Sequence, residues 1–268
     1  MIRDAAGLAA TALAATTLSL SACVTSPEVE QPRAQGYLTP AAIHELAAAL
    51  PAPPSSGSPE DAADRAASDA LKQFEDGDRW LMATAHSELN PPLALQHFDC
   101  ALGVRTADAE APALKRLAER LMRDAVTLAE TSAARFHRAR PIADDPARRA
   151  CVRMEADGQA RSSWPGRAGL YGAAYAQALA TAAPDRAQAV RRIGQALGDS
   201  AAICALNRPA DIEIGRRLGA ELAAAQALSP DYRADAAAAG VEIARLRAAG
   251  RTNPGCAAER RALSEANR

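Results

Sequence analysis

Three observations predict an all-α fold, a compact multi-helix domain, for this 268-residue chain. Alanine supplies 71 residues, more than half of the 49% that are hydrophobic. Ala is the best helix former and lets helix axes approach closely. Aromatic residues number only nine, so the core has to be close-packed from alanine and leucine. No segment alternates apolar and polar residues with the strand period of two, and nothing repeats at a fixed spacing.

The elements follow in order. Arg3 and the apolar run Ala5 to Leu20 read as an export signal over residues 1–22, closed by Leu20-Ser21-Ala22-Cys23. That tetrad resembles the lipobox of bacterial lipoproteins, which makes Cys23 the expected lipidation site. Val24, where an Asp would retain a lipoprotein at the inner membrane, implies the periplasmic side of the outer membrane. The alternatives are ordinary cleavage, giving a soluble periplasmic protein, and an uncleaved anchor. Pro27 and Pro32 mark a tether over 23–37, and residues 38–268 form the domain. No later apolar run reaches the ~20 residues of a membrane span.

Thr39-Pro40 opens a helix to Leu50, with Thr as N-cap and Pro at the first helical position. His44-Glu45 starts an apparent HExxH motif, but Ala48 stands where its second His is needed. Pro51 to Pro59 is a loop, and Ser58 caps the next helix. The longest element is expected from Ala111 to Ala139, with Leu114, Leu117, Leu121, Ala125 and Leu128 on its buried stripe. Further helices fit 167–183, 185–205, 208–228, 230–249 and 255–266, with Asp185 and Ser229 as caps.

A formal net charge of −1 gives no case for nucleic-acid binding. Beyond Cys23 the cysteines are Cys100, Cys151, Cys204 and Cys256, an even set that favours two disulfides in an oxidising compartment. Three pairings are open. No C-x-x-C or His/Cys cluster suggests a metal, and no cofactor is expected.

Residues Asp108 to Ile142, DAEAPALKRLAERLMRDAVTLAETSAARFHRARPI, resemble the first signature helix of the class A bacterial nonspecific acid phosphatases, within the type 2 phosphatidic acid phosphatase superfamily. YLTP at Tyr37, the PAPPSSGS loop and DRWLMA around Trp80 fit upstream. SSWPGRAGLYGAAYAQALA and GDSAAICALNRPADIEIGRRLGA fall where the second and third motifs belong, so the resemblance spans about residues 37 to 250. It implies an all-α fold of that superfamily's kind and the motifs K-x6-R-P, P-S-G-H and S-R-x5-H-x3-D. In that chemistry the last His attacks phosphorus, its Asp orients the ring, and the second motif's His protonates the leaving oxygen. The remaining groups hold the phosphate.

This chain keeps Arg140, Pro141, Pro165, Ser200 and Asp211. It carries Ala133 at the Lys position and Gly166, Arg167 and Ala168 for Ser-Gly-His. Ala201 stands at the second Arg position and Asn207 at the nucleophile position. All four histidines, His44, His86, His97 and His137, precede residue 138, so neither later motif contains one in any register. An amide nitrogen is not nucleophilic, and Asn207 cannot form a phosphoenzyme.

The resemblance therefore implies a pseudophosphatase, with phosphate or another anion, or an envelope protein, as partner. The alternative is a phosphomonoesterase of residual or altered activity. Arg140, Arg167 and Ser200 are the anion-binding candidates, against readings in which Arg140 pairs with Asp211 and Arg167 fills the pocket. Asp211 is the retained orienting acid, with Arg208 as a partner nearby, and His137 sits at a structural or solvated helix end. The resemblance also implies the bridge Cys151–Cys204, leaving Cys100 and Cys256 for the second.

Overall fold

The computed structural model describes residues 35–145, 147–154 and 156–265. The export signal, Cys23 and the tether as far as residue 34 lie outside the described residues. The first half comprises α1 (Pro40–Ala48), α2 (Pro59–Ala70), α3 (Asp78–Ala85), α4 (Asp99–Leu102) and α5 (Pro112–Ala133). The second comprises α6 (Pro141–Asp144), α7 (Ala156–Ala160), α8 (Arg167–Ala182), α9 (Ala187–Ile203), α10 (Pro209–Gln226), α11 (Pro230–Ala248) and α12 (Cys256–Glu265). Short 3-10 turns join several of them, and no strand occurs among the described residues. The fold class is all-α, as the composition predicts.

Helix α8 is the centre, packed between α9 and α10. Its sequence is apolar nearly all round, as a helix covered on several sides must be. Small residues set the spacing: a Cβ on Gly172 would lie 2.3 Å from the Gly194 carbonyl oxygen of α9. Helix α5 lays its predicted stripe against α11, α1 and α8, and Leu114, Leu117, Leu121, Ala125 and Leu128 are all buried. The α3 helix packs against α9 on one side and α12 on the other.

Three expected caps form. The hydroxyls of Thr39, Ser58 and Ser229 accept from the backbone N–H of Ala42, Asp61 and Tyr232 at 3.3, 3.2 and 3.4 Å. Asp185 does not cap: the helix starts at Ala187, and the Asp185 carboxylate takes Arg247 at 2.8 Å instead. The helix expected to reach Ala139 stops at Ala133. Beyond it the Arg138 N–H donates to Ser162 Oγ at 3.2 Å, and its carbonyl accepts from the Ser163 N–H at 2.9 Å. The segment leaves the helix to pair with the loop before α8, burying Arg138 and Arg140.

At the amino end, the Tyr37 N–H donates to Asp124 of α5 at 2.8 Å, and its hydroxyl donates to Asp235 of α11 at 2.9 Å. The end of the expected tether is thus already fixed to the body. Disulfides join Cys151 to Cys204 and Cys100 to Cys256, with Cα separations of 4.8 and 5.4 Å. This is the pairing implied by the resemblance.

Candidate anion site

The three motif segments converge on a cavity of about 150 Å³. Arg140 enters from the segment after α5, Arg167 and Ala168 from the start of α8, and Ala201 and Asn207 from the end of α9 and the turn beyond it. Gly166 allows this convergence. Its N–H donates to the Asp211 carbonyl at 2.8 Å, and a Cβ there would come within 2.7 Å of the same oxygen. The volume is below the ~300 Å³ at which drug-sized pockets begin and suits a small ion. A larger hollow of about 590 Å³, between α9 and α12, gathers none of the motif positions.

Arg140 is 8% exposed. Its Nη1 donates to the Leu206 carbonyl at 2.6 Å and its Nε to that of Gly158 at 3.2 Å. Among the described residues no carboxylate pairs with it. Burial lowers its pKa, and Arg167 and Arg161 push the same way against Asp211. Arg167 is half-buried, lines the cavity without filling it, and makes no hydrogen bond or ion pair among the described residues. Two guanidinium groups thus meet at a cavity whose described wall holds no acid. Such convergence of like charge is unfavourable until an anion enters.

Asp211 does not pair with Arg140, nor with the Arg208 side chain. Its carboxylate accepts from Arg138 Nη1 at 2.6 Å and, at the start of α10, from the Arg208 N–H at 2.7 Å. Arg138 also meets Asp61 at 2.9 Å and Asp64 at 2.8 Å. Burial opposes the charge on Arg138, but these three carboxylates outweigh it and its pKa is raised. The Arg208 guanidinium turns to Asp144 and the Ala139 carbonyl. Asp211 is thereby tied into the ion-pair cluster around Arg138.

Ser200 does not line the cavity. Its hydroxyl is 2.9 Å from both Arg79 Nη1 and His86 Nδ1, and 2.7 Å from the Ala196 carbonyl. That contact set uses one donor and two acceptor sites, the full capacity of a hydroxyl. Asn207 donates to the Ser163 carbonyl at 2.8 Å, which holds its amide against the wall. Ala168 and Ala201 present only methyl groups there. Ala133 ends α5 and is not among the lining residues. His137 is exposed and is not among the lining residues either.

Arg79 and His86 carry no weight in a motif reading, yet His86 lines the cavity and Arg79 is bonded to the same Ser200 hydroxyl. His86, the C-cap of α3, lines the cavity, and Arg79 is buried directly behind Ser200. Burial first, then His97 and Arg79, push the His86 pKa down to about 3, so the ring is neutral over the ordinary range. The two residues lie seven apart, two turns along one helical face, and that spacing is the signal that marks them as a pair. Chain order hid them: a histidine far upstream enters a cavity that no later histidine can reach.

No family model matches the chain. An acid phosphatase of Zymomonas mobilis is 28% identical to it over 204 residues, covering 76% of this chain and 77% of that protein. The likeness spans most of the helical body, so the chain is a distant, acid-phosphatase-like homologue built on an all-α fold.

Proposed function

We propose that this chain is an exported, lipid-anchored pseudophosphatase of the class A nonspecific acid phosphatase kind, within the type 2 phosphatidic acid phosphatase superfamily, which binds a small oxyanion such as phosphate. One observation carries the reading. Arg140 and Arg167 meet at a small cavity with no carboxylate on its described wall, while the positions of the family's two histidines hold Ala168 and Asn207. Without a nucleophile and a proton donor at those positions, the family's phosphoenzyme route is closed to the chain. Cys23 places the protein on the periplasmic side of the outer membrane in this reading.

Thermal unfolding of the full chain in increasing inorganic phosphate tests it. A ligand that binds only the native state adds about 2.7 kcal/mol at a hundredfold excess over Kd. A melting temperature indifferent to phosphate overturns the proposal. A second reading, residual phosphomonoesterase activity, draws support from His86, a neutral imidazole at the same cavity. Turnover of a generic phosphomonoester that disappears in both Arg140→Ala and His86→Ala would establish that reading and end the first.

A further inference from the structure

We infer that the cavity selects an oxyanion carrying its own hydroxyl proton, hydrogen phosphate over sulfate, and that His86 Nε2 is the acceptor for that proton. The inference rests on the anion site proposed above and names what that site discriminates.

Arg79 Nη1 can only donate and the Ala196 carbonyl can only accept. The Ala196 carbonyl also accepts from Arg79 Nη2 at 3.1 Å, but the 2.7 Å contact between the Ser200 and Ala196 oxygens requires the Ser200 proton between them, so the two hydroxyl lone pairs take Arg79 and His86. His86 must then carry its proton on Nδ1. Nε2 is left with a lone pair, and the ring it belongs to lines the cavity. Among the described residues the hydrogen bond of the ring runs through Nδ1 to Ser200, and the Ala196 carbonyl beside it also favours a proton on the ring, so Nε2 is the nitrogen left for the cavity.

The groups around the ring keep it in that state. Arg79 stands behind it on its own helix, His97 lies 4.9 Å away between ring centres, and Arg140 and Arg167 line the same cavity. Another positive charge among these is disfavoured, in agreement with the depressed pKa. His97 is itself occupied, 2.7 Å from the Glu88 carbonyl.

An anion in the cavity therefore meets donors from two arginines and one fixed acceptor from His86. Both ionic forms of inorganic phosphate near neutrality keep an O–H, as do those of arsenate. Sulfate has none, so its oxygen would face the imidazole lone pair, acceptor against acceptor. Sites that place a buried polar group against a ligand hydroxyl discriminate strongly against ligands lacking it.

Calorimetric titration of the full chain with phosphate, arsenate and sulfate, at matched ionic strength and slightly acid pH, tests this. Phosphate and arsenate should bind at least about tenfold more tightly than sulfate. His86→Gln, whose amide can turn either its oxygen or its NH2 to the ligand, should narrow that gap toward unity. Arg167→Ala should weaken all three anions and preserve the gap. Equal binding of sulfate and phosphate by the unmodified chain overturns the inference and leaves the anion site standing. Failure of all three anions to bind overturns both. A gap that persists in a folded His86→Gln variant removes His86 from the role, and if that variant does not fold the ratio in the unmodified chain still decides.

Discussion

Arg138 and Arg140 are two residues apart, both are more than nine-tenths buried, and they live in opposite surroundings. Arg138 is encircled by Asp61, Asp64 and Asp211, three carboxylates supplied by α2 and α10. Arg140 bonds to two backbone carbonyls and lines the same cavity as Arg167, whose charge opposes its own. The difference separates a cation neutralised within the fold from one that, in the proposed function, meets an anion. Asp211 belongs to the first of these settings: Arg138 is its partner, and it is not among the residues that line the cavity.

The strongest way to break this comparison is Arg138→Ala. Removing one member of a buried charge cluster leaves the other charges uncompensated, at a cost of about 3–5 kcal/mol. Urea unfolding should register that loss whether or not phosphate is present. Arg140→Ala should behave the other way. Its own stability should fall by only about 1–2 kcal/mol, since it loses hydrogen bonds to carbonyls. The roughly 2.7 kcal/mol of protection by hundredfold phosphate should vanish. If both variants lose stability equally and both still respond to phosphate, the distinction between the two arginines is wrong.

Acidity sharpens the same contrast. Burial tends to raise the Asp61 carboxyl, but Arg65 and Arg138 outweigh it and bring its pKa from 3.8 to about 2. A depressed folded-state pKa stabilises above the unfolded value and loses that contribution as pH falls through the folded one. On the order of 2 kcal/mol should therefore disappear between about pH 4 and pH 2. The pH dependence of unfolding in Asp61→Asn should lack that component. The smallest effect belongs to Lys72, whose pair with Asp69 at 2.9 Å is solvent-exposed on both sides. Lys72→Ala should change stability by less than about 0.5 kcal/mol, and a larger change would mean that exposed pairs matter here as buried ones do.

Much of the scaffold was legible because it is encoded locally. The α5 stripe at Leu114, Leu117, Leu121 and Leu128 follows helical period, and Thr39, Ser58 and Ser229 cap through bonds three residues long. The end of α5 was not legible. Alanine and arginine are good helix formers through Ala139, and only the competing bonds to Ser162 and Ser163 pull Arg138 out. The candidate site divides in the same manner. Arg140, Arg167 and Asn207 could be placed by motif spacing, whereas Arg138, Arg79 and His86 owe their roles to partners 60 or more residues distant, such as Asp211 and Ser200. The two readings that close the pocket, an Arg140–Asp211 pair and an Arg167 that fills it, do not hold. The pair forms, but with Arg138, and the cavity stays open.

The carboxy-terminal helix gives the cavity an unexpected dependence. Glu265, on the last turn of α12, accepts from the Arg79 N–H at 2.9 Å at the start of α3. The Cys100–Cys256 disulfide fixes the other end of α12 beside α4. The helix that presents Arg79 and His86 is thus held from the far end of the chain. Trimming or tagging the carboxyl terminus would disturb the start of the helix whose other end places His86 at the cavity, so the choice of which end carries an affinity handle becomes a chemical variable in any measurement of anion binding.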